Sequence, residues 1–165
     1  MTFTPTRPVD MLFDAARRGD TALLQRLITE GANVNEQGPH GFTPLIIATY
    51  NNQPEAARML LEAGADVNAQ DAAGNTALMG LCFNGYEDIA KLLLEKGANL
   101  NIQNGSGGTA LMFATMYGRE KMVKLMLERG ADASLRDSNG HTAQQLAGQT
   151  GNEEILKLFE SSDNR

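Results

Sequence analysis

The residues that could carry out chemistry in this 165-residue chain are few and far apart. His40 and His141 are the only histidines, and Cys82 is the only cysteine. Neither histidine stands at a spacing from Cys82 that fits a metal site or a nucleophile–base pair. Each histidine lies beside a glycine in a turn-like stretch, and an isolated cysteine in an apolar run is usually a small buried residue. The sequence therefore predicts no enzyme, no metal site and no cofactor.

A glycine-rich stretch from Asn104 to Thr109 is the remaining candidate for chemistry, because backbone N–H groups before a helix can hold a phosphate. No lysine follows where a phosphate loop needs one. Asn104-Gly105-Ser106 also fits a glycosylation acceptor, which matters only in a secretory pathway. We interpret the stretch as a more flexible version of the turn at residues 71–74.

The elements that must position any site repeat every 33 residues. One motif occurs four times: Gly41-Phe42-Thr43-Pro44-Leu45, Gly74-Asn75-Thr76-Ala77-Leu78, Gly107-Gly108-Thr109-Ala110-Leu111 and Gly140-His141-Thr142-Ala143. A second motif has the same period: Gly31-Ala32-Asn33-Val34-Asn35, Gly64-Ala65-Asp66-Val67-Asn68, Gly97-Ala98-Asn99-Leu100-Asn101 and a weaker copy at Gly130. A fixed period of this length predicts stacked supersecondary units rather than one globular core.

The pattern Gly-x-Thr-Pro-Leu-x-x-Ala at this period resembles the ankyrin repeat, and the resemblance covers about residues 8–160. It implies an all-α solenoid of helix pairs joined by hairpin loops. The predicted units are a flexible lead at 1–7, repeats at 8–40, 41–73, 74–106, 107–139 and 140–160, and a tail at 161–165. Polar residues in the first and last repeats fit end caps, since one flank of each faces water.

Local signals within the repeats predict where the helices begin and end. Thr43 and Asp10 are expected to cap the first helix of their repeats, and Asn52 is expected to end one. The second helix of the second repeat is predicted from about Pro54 to Glu62. In the third repeat, Gly80-Leu81 replaces Ile47-Ala48, which we interpret as an exchange of small and large residues that conserves volume if the neighbouring side chains adjust.

Charge and composition narrow the classes of partner. The formal net charge is −6 and the pI about 4.9, which argues against binding to nucleic acid or to an anionic membrane. No apolar run has the length of a membrane span, and the first residues lack the apolar core of a signal peptide. We therefore expect a cytoplasmic protein, and the polar ends predict a monomer.

The resemblance implies a protein-binding concave surface formed by the hairpin tips and the exposed side of each first helix. Carried over position by position, the predicted partner-binding residues are Phe42, Tyr50, Asn51, Asn75, Phe83, Asn84, Met116, Tyr117 and His141. Aromatic and methionine side chains among asparagines are typical of an interface centre. The alternative is that the rings lie flat on neighbouring repeats. A second hypothesis for function is a dedicated inhibitor or immunity protein for one enzyme or toxin, because short ankyrin-like proteins include such cases.

Two further features allow more than one interpretation. Arg58, Lys91, Lys124 and Lys157 form a basic stripe, here called the outer stripe, and Glu62, Glu95 and Glu128 follow its first three members by four residues. We expect these acids to neutralise it, although an anionic partner is an alternative. The resemblance also implies that Asn35, Asn68 and Asn101 could be substrates of an asparaginyl hydroxylase. The other interpretation is that they stabilise loops through side-chain hydrogen bonds.

Overall fold

The computed structural model describes residues 7–163, and in that range every regular element is a helix. The ten α-helices are α1 (Pro8–Arg18), α2 (Thr21–Thr29), α3 (Pro44–Tyr50), α4 (Pro54–Glu62), α5 (Ala77–Asn84), α6 (Glu87–Glu95), α7 (Ala110–Met116), α8 (Glu120–Glu128), α9 (Ala143–Thr150) and α10 (Glu153–Asp163). A short 3₁₀ turn covers Pro39–Gly41. The predicted all-α helix-pair solenoid is confirmed.

The helices form two layers. The odd-numbered helices, here called the inner helices, pack on one another in chain order, and the even-numbered helices form a parallel outer row in the same order. Leucine, methionine, isoleucine and alanine side chains fill the space between the layers, and they belong to one continuous core. Because each helix pair contacts only its neighbours, the molecule is a solenoid rather than a globule.

The repeated threonine fixes the start of the inner helices from the second repeat onward. The side-chain oxygens of Thr43, Thr76, Thr109 and Thr142 each accept a hydrogen bond from the backbone N–H three residues later. This bond satisfies one of the N–H groups that a helix start leaves unpaired. All four of these inner helices are seven or eight residues long and depend on this cap and on packing for their stability.

The first repeat departs from the prediction at its cap. Helix α1 begins at Pro8, one turn earlier than its equivalents, with Arg7 as the capping residue and no side-chain cap. Pro8 favours this early start because its ring fixes φ near the helical value. Asp10 therefore lies inside the helix, where its carboxylate accepts a hydrogen bond from Arg7 Nε at 3.2 Å. The prediction that Asp10 caps the helix is wrong.

The other helix ends follow the sequence signals more closely. Helix α4 has the predicted bounds, Pro54 to Glu62, and Asn52 adopts a left-handed φ of 56° after α3. The last helix continues to Asp163, past the expected end of the fifth repeat at residue 160. Residues 1–6 of the predicted lead and residues 164–165 of the predicted tail lie outside the described residues.

The hairpin tips are joined into a ladder by backbone hydrogen bonds. The N–H groups of Ala72, Gly105 and Ser138 donate to the carbonyl oxygens of His40, Ala73 and Ser106, each in the preceding hairpin. The glycines that open the second, third and fourth repeats, Gly41, Gly74 and Gly107, permit this approach. A Cβ atom on Gly41 would lie 2.7 Å from the backbone nitrogen of Ala72, which is closer than side chains can pack. The repeated glycine is thus a requirement of stacking.

Candidate functional site

The inner helices and hairpins present all the large apolar side chains that are exposed in residues 7–163. These are Phe42, Tyr50, Phe83, Met116 and Tyr117, whose exposed fractions run from 37% to 52%. All five belong to the predicted concave surface. They lie there because the caps begin α3, α5 and α7 in the same register, so equivalent positions face the same side.

The aromatic side chains of this surface contact one another across the repeats. The ring centroids of Tyr50 and Phe83 are 6.5 Å apart and nearly parallel, and those of Phe83 and Tyr117 are 5.1 Å apart and perpendicular. Tyr117 also stacks on Phe113 of its own repeat at 6.3 Å. Tyr50, Phe83 and Tyr117 therefore each pack on a neighbouring ring and still leave nearly half of their surface in solvent.

A groove of about 530 Å³ opens between these rings. Its walls include Ile47, Tyr50, Phe83, Phe113 and Tyr117, and Met79 and Gly80 contribute to the lining. Along the stack, one position of the inner helices holds Asp14, Ile47, Gly80, Phe113 and Leu146 in turn. The groove therefore lies where the side chain is missing.

The exchange proposed for Gly80-Leu81 does not conserve volume. Leu81 is fully buried, at the position of Ala48, whereas Gly80 replaces Ile47 on the side that lines the groove. Adjacent residues on a helix point about 100° apart, so the larger Leu81 cannot fill the space that Gly80 leaves. The sequence prediction therefore missed the groove, although the 33-residue alignment of this position carries its signal.

The asparagines of the predicted site also support the scaffold. Asn84 Nδ2 donates to the carbonyl oxygen of Tyr50 at 3.2 Å, across the repeat boundary, and Asn51 Nδ2 donates to that of Ile47 at 2.8 Å. Asn75 Oδ1 accepts from Asn104 Nδ2 at 2.8 Å. These bonds hold the amide groups in place beside the groove.

The surface around the groove carries little charge. Helices α3, α5, α7 and α9 contain no Asp, Glu, Lys, Arg or His residue. Within residues 7–163, two charged residues line the groove, and both have partners. Asp71 Oδ1 accepts from the backbone nitrogens of Ala73 and Asn75, each at 2.9 Å, and Arg17 lies 3.6 Å from Asp14.

The residues considered for catalysis do not converge. His40 belongs to the first hairpin, and His141 belongs to the last, with its Nδ1 atom 3.9 Å from Asp137. Cys82 is fully buried, and burial raises the pKa of its thiol well above the usual value. In residues 7–163, no three side chains of the metal-binding types lie close enough to share an ion.

The outer stripe is paired differently from the prediction. Lys91 contacts Glu87, one turn before it, at 3.3 Å, and Lys157 contacts Glu154 at the same distance. No ion pair within 4 Å joins the stripe to Glu62, Glu95 or Glu128 among the described residues, so the predicted pairing is wrong. A carboxylate one turn before a lysine is the more favourable order on a helix.

Glutamines at the hairpin bases form a ladder that the sequence prediction missed. Gln37, Gln70 and Gln103 are 33 residues apart, and each donates from Nε2 to a carbonyl of its own hairpin and to one 33 residues later. Their 33-residue spacing was the signal in the sequence from which this ladder could have been predicted. The glycine-rich stretch after Asn104 belongs to this framework, because Asn104 Oδ1 accepts from the backbone nitrogens of Ser106 and Gly108.

Asn35, Asn68 and Asn101 form a second ladder on the loops that follow the outer helices. Their Oδ1 atoms accept from the backbone nitrogens of Asp66, Asn99 and Asp132, each in the next repeat, at 2.7–2.8 Å. The loop-stabilising interpretation of these residues is therefore confirmed, and the bonds join neighbouring repeats. That these asparagines could be substrates of an asparaginyl hydroxylase stays a prediction.

The comparisons with known proteins agree with this architecture. A family model described as ankyrin repeats in three copies matches residues 12–104 and 96–164. The chain therefore belongs to the ankyrin-repeat family, whose members are generally protein-interaction modules and typically lack catalysis. A comparison with curated protein sequences returns no match. No helix in the described range combines the length and apolarity needed to span a bilayer.

Proposed function

We propose that this chain is a non-catalytic module that binds one partner protein through its concave surface. The observation that carries the proposal is that the five large exposed apolar side chains of residues 7–163 lie on one surface, whose inner helices are uncharged from the second repeat onward. Contiguous exposed apolar surface with a polar rim is typical of protein-binding sites.

The geometry of the rings suits this function. Tyr50, Phe83 and Tyr117 are each 45–49% exposed, and their mutual contacts restrict the rings before any partner arrives. Binding then loses little side-chain entropy, because the rotamers are already limited. Aromatic anchors of this kind carry a large share of the binding free energy in interfaces.

The experiment compares three immobilised proteins as baits for the host's lysate: wild type, the Tyr50→Ala/Phe83→Ala/Tyr117→Ala variant, and an Arg58→Ala/Lys91→Ala/Lys124→Ala control on the opposite surface. We expect one protein to be retained by wild type and by the outer-stripe control and lost from the aromatic variant. Circular dichroism confirms that all three are folded. Equal retention by all three baits would contradict the proposal.

The partner's identity decides between a scaffold and an inhibitor. If the retained protein is an enzyme or toxin, its activity measured with and without this chain separates the two, since only an inhibitor lowers the activity. A monomeric state and a cytoplasmic location remain part of this proposal. The polar character of the first and last repeats supports the monomer, because it leaves the stack ends unsuited to further stacking.

A further inference from the structure

The groove at Gly80 differs from the rest of the concave surface because it is a recess in the inner row. The equivalent side chains on either side, Ile47 and Phe113, wall it, while Gly80 contributes none. A Cβ atom placed on Gly80 would meet only Tyr50 Cδ2, at 3.6 Å, so the space in front of this backbone is open. The recess is therefore a property of one residue in one repeat.

The lining of the groove disfavours a charged side chain from the partner. Met79, Phe83 and Tyr117 add apolar surface, and the two charged residues of the lining are already bound to neighbours of their own. A charged side chain inserted against these rings would lose water, and the one cation among the lining residues, Arg17, already faces Asp14. A large apolar side chain would lose nothing comparable and would gain the contacts of several rings.

Amide groups beside the recess present unused hydrogen-bonding atoms. Among the described residues, Asn51 Oδ1 and Asn84 Oδ1 accept no hydrogen bond, because each side chain is held through its Nδ2 atom. Asn75 is held through its Oδ1 atom, which leaves Nδ2 as a donor. Asn51 and Asn75 line the groove, so an acceptor and a donor there match the C=O and N–H groups of an extended backbone, which a helix would already have paired internally.

From these observations we infer that the groove receives one large uncharged apolar side chain, of the leucine, methionine or phenylalanine kind, from an extended segment of the partner protein. The inference rests on the proposed function and specifies its central contact. The segment runs across α3, α5 and α7 with its backbone on the asparagine amides. At about 3.3 Å per extended residue, and with packed helices about 8–10 Å apart, roughly ten residues suffice.

The test uses a phage-displayed library of random peptides of about ten residues, selected on the wild-type full-length protein. The probe is then the best synthetic peptide, and its affinity is measured by fluorescence anisotropy. Gly80→Leu fills the recess with the residue that Leu146 already places at this position in the fifth repeat. Gly148→Leu is the matched control, since a Cβ atom on that inner-helix glycine meets no atom within 4 Å and Gly148 does not line the groove.

We expect selected peptides to share one large apolar residue within an uncharged stretch. Gly80→Leu should weaken peptide binding about 10- to 100-fold, the equivalent of burying one such side chain. Gly148→Leu should change it by no more than about twofold. Thermal unfolding shows whether Gly80→Leu is folded. If it is not, Gly80→Ala, which adds only one carbon atom, replaces it in the binding measurement. We then expect a smaller loss of peptide affinity.

Three results would overturn the inference: an unchanged affinity for the Gly80 variants, a selected motif that requires a charged residue, or no selected peptide at all. The Tyr50→Ala/Phe83→Ala/Tyr117→Ala variant, tested with the same peptide, distinguishes failure of this inference from failure of the proposed function. If that variant loses the peptide while Gly80→Leu keeps it, the concave surface binds protein but the recess is not its anchor point. If neither variant loses it, both proposals fail.

Discussion

Asn35 joins the first repeat to the second through a single side chain. Its Oδ1 atom accepts from the backbone nitrogen of Asp66 at 2.7 Å, and its Nδ2 atom donates to the carbonyl oxygen of Gly64 at 3.1 Å. Its position in the repeat marks a loop in the sequence, but the partners lie about 30 residues away. Only the stacked structure reveals that the residue connects two repeats.

We expect Asn35→Ala to lower the free energy of unfolding by about 1–2 kcal/mol, because each hydrogen bond contributes about 1 kcal/mol. Asn139→Ala is the control: Asn139 is also an exposed loop asparagine, and its side chain makes no hydrogen bond among the described residues. Its effect should stay within about 0.5 kcal/mol. Urea unfolding followed by circular dichroism measures both. Equal effects of the two variants would mean that the hydrogen bonds of the Asn35 side chain make no net contribution to stability.

Single residues also mark where sequence reasoning fails. The period places Lys91 on an outer helix but does not decide whether it contacts Glu87 or Glu95, since both are one turn away. The predicted choice was wrong because ion-pair geometry depends on side-chain direction. The asparagines and aromatics of the concave surface, in contrast, follow from the register of the repeat, which fixes the side of the helix on which they lie.

Helix α5 shows how an element departs from the pattern of its neighbours. Its bounds follow from Thr76 at the start and Gly85 at the end, both readable in the sequence. The recess at Gly80 does not follow from those signals, because it depends on which side of the helix the missing side chain would occupy. A glycine inside a helix also lowers its stability, so this position is a local weakness in the scaffold.

Gly80 inside α5 and Gly85, which follows the last residue of α5, are expected to respond oppositely to alanine. Gly80→Ala should raise the free energy of unfolding by about 0.5–1 kcal/mol, since alanine favours the helix and the new Cβ has ordinary contacts. Gly85→Ala should lower it by about 1–2 kcal/mol, because Gly85 has a φ of 77° and L-residues are strained there.

Urea unfolding of the two variants beside wild type measures this pair. The comparison controls for the addition of a methyl group as such, since both variants replace glycine by alanine, one inside α5 and one at its C-terminal end. A loss of stability in Gly80→Ala would show that the backbone of α5 depends on glycine at that point. In that case the recess would be a structural requirement of the third repeat, independent of any partner.

At the scale of the whole molecule, the period alone predicts the fold, because each repeat contacts only the repeats beside it. The ends of the stack are less predictable: α1 starts early at Pro8, and α10 continues to Asp163. The terminal helices have a neighbouring repeat on only one side, so local signals rather than the stack determine their length.

Cys82 allows the cooperativity of this stack to be measured. Its thiol is fully buried and contacts the carbonyl oxygens of Leu78 and Ala110 at 3.3 Å, so it lies between the third and fourth repeats. Burial raises the pKa of this thiol, which keeps it protonated and unreactive at neutral pH. Alkylation by iodoacetamide therefore requires that the interface between these repeats open.

We expect the interface to open most readily from the C-terminal side, since only the fourth and fifth repeats must then detach, whereas the N-terminal route must detach three repeats. Leu12 and Leu111 occupy the same repeat position and are each 1% exposed, so their alanine variants remove equivalent core contacts from the first and fourth repeats. Each should destabilise its repeat by about 2–5 kcal/mol.

Leu111→Ala should then accelerate labelling of Cys82 by roughly 30-fold or more, and Leu12→Ala should change it much less. Mass spectrometry of the labelled protein under native conditions gives both rates. Equal acceleration by the two variants would contradict this expectation and would show that the five repeats open as a single unit.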